Sequence, residues 1–276
     1  SYFKGNMTIK NLTVVNAATG FDIQYLTGGG TFENITAHNS TYGLSIFGTT
    51  VGQAAPPFTN VDVRNNLNGA AISNFGNLDL TPANFTLGDN SSYGITLGTT
   101  PNAVIHGFTL DGGGTDVGAF NLYQSGIVTD PITVRDVSLS NFASSSIQSY
   151  CYNPDQCGLL TIKDSIFSNN YYGPYINRSK VRIDNVTATG GHYGAKIIGS
   201  KYFDISNSTF SHNSEYGLSI EYAGAASTGD IQSVSNVEVT YNATGVQAFS
   251  GAGIGMSPIF TNVDIRHNAT GAYLAD

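Results

Sequence analysis

Lys196 and Glu221 are the two side chains that the sequence best places to work as an acid–base pair. Each follows a glycine, in GAKII (194–198) and GLSIE (217–221). Strand alternation then puts Tyr175, Lys196 and Ser219 in one outward column, with Asn177, Ile198 and Glu221 in the next. Lys196 and Glu221 become neighbours on adjacent strands, flanked by Tyr175. Such a pair is suited to moving protons in a polysaccharide subsite. The plainer reading is a surface ion pair beside an aromatic ring. Tyrosine supplies the second motif. Tyr42, Tyr93, Tyr172, Tyr193 and Tyr216 all precede a glycine, the last three in successive repeats. With Tyr175 they form a strip that offers flat apolar rings with polar tips, for a sugar or a protein partner. Its bland counterpart is an aromatic stack at a bend.

Cys151 and Cys157 bracket an Asn-Pro-Asp turn, and the pair reads as a small-loop disulfide or as two free thiols in a reducing compartment. A disulfide implies an oxidising setting. Neither a metal site nor a cofactor is expected, because no further His or Cys lies close enough in sequence to complete one. Eleven Asn-x-Ser/Thr triplets occur. Asn6, Asn39 and Asn177 are the expected glycan acceptors, since they fall outside the repeated Asn positions. The triplets at Asn11, Asn34, Asn84, Asn185 and Asn207 are expected to be products of the repeat itself.

That repeat positions everything else. The column Asn11, Asn34, Asn60, Asn84, Gly107, Asp136, Asp164, Asn185, Asn207, Asn236, Asn262 returns every 21 to 29 residues. Two residues before it the chain is apolar, as in Ile9, Phe32, Ile162 and Ile205, though Pro82 breaks the rule. Three residues after it the chain is apolar throughout, from Val14 to Ile265. A glycine follows nine or ten residues on in most repeats. Period-2 alternation interrupted at fixed offsets marks short strands joined by bends, and no segment carries a helical period. One such coil cannot bury its own apolar face, so coils must stack. Stacking predicts an inward Asn column, with amide laid on amide.

The Asn column, its flanking Ile/Val/Phe positions and the coil glycine resemble the right-handed parallel β-helix of the pectin-lyase-like superfamily. Two coils are near copies, FTNVDVRNNLNG (58–69) and FTNVDIRHNATG (260–271). The resemblance implies an all-β solenoid of about eleven coils, forming a single domain over residues 1–276. At about 4.8 Å per coil it would be a rod of roughly 50 Å. It also implies a choice of activities: lyases, hydrolases, epimerases, tailspikes and adhesins share this fold. The enzymes among them need clustered carboxylates with Arg, Lys or His, and no such run of motifs is present. Their substrates lie beside loops like those at 47–57, 74–82, 121–131, 149–157, 221–230 and 249–258.

Net charge is −8, from 11 Lys+Arg against 19 Asp+Glu, which argues against nucleic acid and anionic membranes as partners. No apolar run is long enough to span a bilayer. A surface of Asn, Ser, Thr and Gly points to an extracellular or cell-surface setting, including a virion surface. Two functions follow as expectations. The first is a structural or interaction solenoid, such as a surface-layer element, adhesin or filament subunit, stacking end to end with copies of itself. The alternative is a polysaccharide-acting enzyme or a non-catalytic glycan binder.

Overall fold

The computed structural model describes residues 7–27, 29–124, 130–222, 231–250 and 258–275. Among the described residues all strand pairings are parallel and join one coil to the next. Ile162, Ile183, Ile205, Val234 and Phe260 stand in one such line. An 11-stranded sheet runs from Thr19–Leu26 to Thr270–Ala275 and carries the coil glycines. A second 11-stranded sheet holds the strands flanking the Asn column, from Asp79–Leu80 to Ile259–Arg266. The earliest flanking strands, from Met7–Val15 to Phe85–Thr86, form a sheet of their own with 4 strands. Apolar side chains of these faces meet in one continuous core that includes Phe32, Val134, Ile162, Ile183, Phe210 and Val234. Burying each is worth roughly 1.5–3 kcal/mol, which is what holds coil on coil.

The Asn column points outward, not inward as the repeat pattern predicts. Asn34, Asn60, Asn185, Asn207 and Asn236 are all exposed. The reason is backbone conformation. Asn34, Asn60, Asp136, Asp164, Asn185 and Asn207 have φ of 53, 52, 53, 50, 52 and 50°. This is the left-handed region, which Asn, Asp and Gly tolerate best. A left-handed residue shifts the alternation by one step. In Val181–Thr189 buried and outward residues alternate up to Asp184, Asn185 adds a second outward residue, and alternation resumes at Val186. The column is therefore a bend, and its residue types follow from φ.

The amides still form a ladder, but along the outside. Asn34 Nδ2 donates to Asn11 Oδ1 at 3.0 Å, Asn60 to Asn34 at 2.9 Å, and Asn262 to Asn236 at 2.9 Å. A second bend follows five residues later, at Asn16, Asn39, Asn65, Asp89, Asn141, Asn169, His212, Tyr241 and His267, again with φ between 49 and 59°. The buried polar ladder begins one residue further on. Ser40 N–H donates to Asn66 Oδ1 (2.9 Å), Asn66 N–H to Asn90 Oδ1 (3.0 Å), and Asn213 N–H to Asn242 Oδ1 (2.9 Å). Asn66 Nδ2 also donates to the carbonyls of Ala37 and Val63. These amides satisfy backbone groups that the bend removes from the sheet.

Candidate functional site

The glycine-bearing sheet brings Lys196 and Glu221 together. Tyr175 pairs with Lys196, Lys196 with Ser219, and Ile198 with Glu221, so the two charged side chains sit diagonally on neighbouring strands. Lys196 Nζ lies 3.0 Å from Glu221 Oε1, and both side chains are only 13% exposed. Ser219 Oγ donates to the same Glu221 Oε1 at 2.8 Å. The Lys196 ammonium also lies 4.7 Å from the Tyr193 ring centroid and 5.8 Å from that of Tyr172. The cation is thus held by one carboxylate and two ring systems.

Tyrosines surround this pair. Tyr172 and Tyr193 have centroids 4.8 Å apart, Tyr193 and Tyr216 5.2 Å, and Tyr172 and Tyr175 5.1 Å. His192 stacks on Tyr171 at 4.3 Å, and its Nδ1 lies 3.2 Å from Glu215 Oε1. Burial pushes the Tyr172 hydroxyl up to about 12, with Tyr171, Tyr175, Glu215 and Glu221 adding to it. Burial raises Tyr193 further, and its hydroxyl donates to Glu215. That bond from Tyr193, followed by the one from His192, holds the Glu215 carboxyl below its usual range. The rings of Tyr193 and Tyr216 lie within 27° of parallel. Tyr193 and Tyr216 therefore cover one another's faces, whereas Tyr172 is tilted by 40° to Tyr193 and 42° to Tyr175, so the rings are largely engaged with one another. The strip has more to offer a hydrogen-bonding partner than a stacking one.

Cys151 and Cys157 are bonded, with Cα atoms 6.3 Å apart, and close the turn at the end of Ser145–Cys151. Asn39 is exposed at the second bend, and Asn177 is half-buried at the end of Tyr172–Asn177. Asn39 thus belongs to a repeated column of its own, contrary to the expectation from the sequence. Asn6 lies outside the described residues, as do parts of the loops at 121–131, 221–230 and 249–258. The expected exclusion of first-column triplets is overturned too: Asn11, Asn34, Asn185 and Asn207 are exposed. The sequon asparagines that are sealed off are Asn90 and Asn242, at 2% and 4% exposure, because they belong to the inward ladder. Among the described residues no group of three His, Cys, Asp or Glu is arranged to hold a metal ion. Among the described residues no helix is long and apolar enough to cross a membrane.

Three features escaped the sequence reading. The first is a stack of His212, Tyr241 and His267 along the second bend, with centroids 4.9 and 5.0 Å apart. The second is Asp116, whose carboxyl is pushed up to about 6 by burial, then by Asp89 and Asp111. The third is an open groove of about 560 Å³ at the second bend of the first four coils. Only the spacing of five residues after each column Asn could have shown this bend.

The parallel coil-to-coil pairing agrees with comparison to known families. The family model described as a right-handed beta helix region matches residues 118–276. The chain belongs to the right-handed β-helix family. Among solved structures, this β-helix is similar to the mannuronan C-5 epimerase AlgE4 A-module of Azotobacter vinelandii. Identity is 16% and the TM-score 0.48, with 90% of this chain and 66% of that chain covered. No curated protein matches the β-helix in sequence.

Proposed function

We propose that this β-helix is an extracellular structural or interaction solenoid that stacks head to tail with copies of itself. One observation carries the reading: the sheltered Lys196–Glu221 pair and several other charged side chains are spent on joining coil to coil. Lys196–Glu221 (3.0 Å), Arg182–Asp204 (3.0 Å), Arg266–Glu238 (3.2 Å) and His106–Asp79 (2.9 Å) each link residues of successive coils. The outer ladder has a polarity that favours stacking. Where the ladder forms, Nδ2 donates back to the Oδ1 of the preceding coil, as from Asn34, Asn60, Asn185, Asn236 and Asn262, so a donor faces outward at Asn11 and an acceptor at Asn262, although Asn84, Gly107 and Asp136 interrupt the series between them. A second copy set beyond the last coil brings its Asn11 donor to that acceptor, with parallel strand edges in register. A head-to-tail contact of this kind propagates into filaments. It also covers apolar residues of the outermost coils that are now exposed, among them Leu12, Val15, Ile259 and Leu274. The disulfide and the weakly charged Asn/Ser/Thr surface support the extracellular setting.

Negative-stain electron microscopy of the purified chain over a concentration series tests the proposal. Rods that lengthen in steps of roughly 50 Å are expected. Short single particles at every concentration, with a monomeric elution volume, would sink the stacking reading. A second reading, catalysis on a polysaccharide, rests on the sheltered Lys196–Glu221 pair beside Tyr172 and Tyr193. It requires that a panel of uronate and neutral polysaccharides, assayed with and without calcium, include one that is cleaved or epimerised. That activity must then vanish in Lys196→Ala.

A further inference from the structure

The second bend is built differently in its two halves. In the later coils its side chains bond to one another: Asn169 Nδ2 donates to Asn141 Oδ1 (3.3 Å), Asn141 Nδ2 to Asp111 Oδ1 (2.9 Å), and His212, Tyr241 and His267 stack. In the first four coils no such bonding occurs. Asn16, Asn39 and Asn65 stand exposed at consecutive coils, and their side-chain amides hydrogen-bond to no other described residue. Asp89 continues the line one coil further.

These four residues form one wall of the groove of about 560 Å³. Ser40 and Asn66 are buried beneath it, and Thr41, Leu67 and Ser91 also line it. The Asn66 side chain and the Ser40 backbone N–H belong to the buried ladder, and Ser40 Oγ donates to the His38 carbonyl, so these two residues are held in place. Leu67 is 47% exposed and supplies an apolar surface among polar groups. The wall amides repeat at the coil spacing of about 4.8 Å, so four coils span roughly 14 Å.

We infer that this groove binds a neutral, hydroxyl-rich chain, a short stretch of uncharged glycan, lying along the solenoid axis. The chemistry of the wall selects it. A carboxamide presents two donors and one acceptor group, and a sugar hydroxyl both donates and accepts. A row of free amides at fixed spacing therefore matches a row of hydroxyls in either orientation. Leu67 provides the contact for a sugar ring's C–H face. Charge excludes the anionic alternative: no lysine or arginine lines the groove, Asp89 does, and Arg64, next to Asn65, is committed to Asp62 at 2.8 Å. The site is separate from the tyrosine strip and does not depend on whether copies stack.

The test uses the whole chain made in a host without N-glycosylation, so that Asn39 carries no glycan of its own. Cellotetraose, xylotetraose, mannotetraose and tetragalacturonate are titrated in by calorimetry. At least one of the three neutral chains is expected to bind, and tetragalacturonate is not. The double variant N39G/N65G removes both amides while keeping residues that accept positive φ. Its circular dichroism and melting curve should match those of the unmodified chain, and its affinity should fall about tenfold or more. Tyr193→Ala should bind as before. The inference is overturned if no neutral chain binds at millimolar concentration, if tetragalacturonate binds best, or if N39G/N65G binds as well as the unmodified chain.

Discussion

Asn66 and Asn60 lie six residues apart in one coil and illustrate two uses of the same side chain. Asn66 is buried and joins Ser40 N–H to the carbonyls of Ala37 and Val63. Asn66→Ala should cost about 2–4 kcal/mol in urea unfolding, because it leaves several backbone groups buried and unpaired. Asn60 is exposed at φ 52°, and its Nδ2 makes one surface bond to Asn34. Asn60→Gly should cost less than about 1 kcal/mol, since glycine takes the left-handed conformation freely. Equal losses for the two variants would contradict the assignment of outer and inner ladders.

Two aspartates make stability depend on pH in opposite directions. Burial alone would raise Asp62, but hydrogen bonds from Arg64 and His38 outweigh it and hold the carboxyl at about 2. The folded state keeps this proton off more strongly than the unfolded chain does. Its contribution is present above about pH 4 and is lost as pH falls towards 2. Asp116 is raised to about 6, so its protonated form is favoured by folding. Its contribution is present below about pH 4 and is lost as pH rises through 6. Asp116→Asn should therefore raise the melting temperature at pH 7, by the equivalent of about 1 kcal/mol after allowing for its partial exposure, and leave it unchanged at pH 4. Asp62→Asn should lower the melting temperature at pH 7 and not at pH 2. Melting curves across pH 2–8 separate the two effects.

Among the strands, the coil glycine sets how closely one coil approaches the next. A Cβ on Gly217 would lie 2.4 Å from Val239 Cγ1, 2.7 Å from Asn242 Nδ2 and 2.8 Å from Gly245 O. A Cβ on Gly271 would meet nothing within 4 Å. Gly217→Ala should lower stability by about 1–3 kcal/mol, whereas Gly271→Ala should be close to neutral, as read by thermal melting. The same contrast shows what the sequence made legible. The period, the parallel strands and the register of Tyr175, Lys196 and Ser219 all follow from counting between glycines and apolar positions, because stacking forces like onto like. The direction of the Asn column did not follow. A left-handed residue breaks the period-2 rule without leaving a mark in hydropathy, so Asn185 reads as inward when alternation is continued through it. The groove at Asn16, Asn39 and Asn65 stayed hidden for a related reason. Its residues lie five after the column, and only the second bend brings them into line.

For the whole molecule, each coil contacts only its two neighbours, so the stability of any coil depends on what covers it. Interior strands such as Val181–Thr189 are covered on both sides by Leu160–Ser168 and by the Phe203–Ser206 and Thr209–Ser211 pair. In this chain Ile259–Arg266 and Thr270–Ala275 pair on one side only, and their residues are largely exposed. Amide hydrogen exchange should follow this gradient, with the interior strands slowest and the outermost strands opening first. The gradient also bears on stacking. If copies meet head to tail, the last strands gain a partner edge as concentration rises. Exchange in 259–275 should then slow with concentration while exchange in 181–189 stays constant. A profile that does not change with concentration would show that the outermost coil stays uncovered and would remove self-stacking as its role. Slowing at every strand alike would instead mean that the rod unfolds as a single cooperative unit, with the coil-to-coil ion pairs and ladders binding it together from end to end.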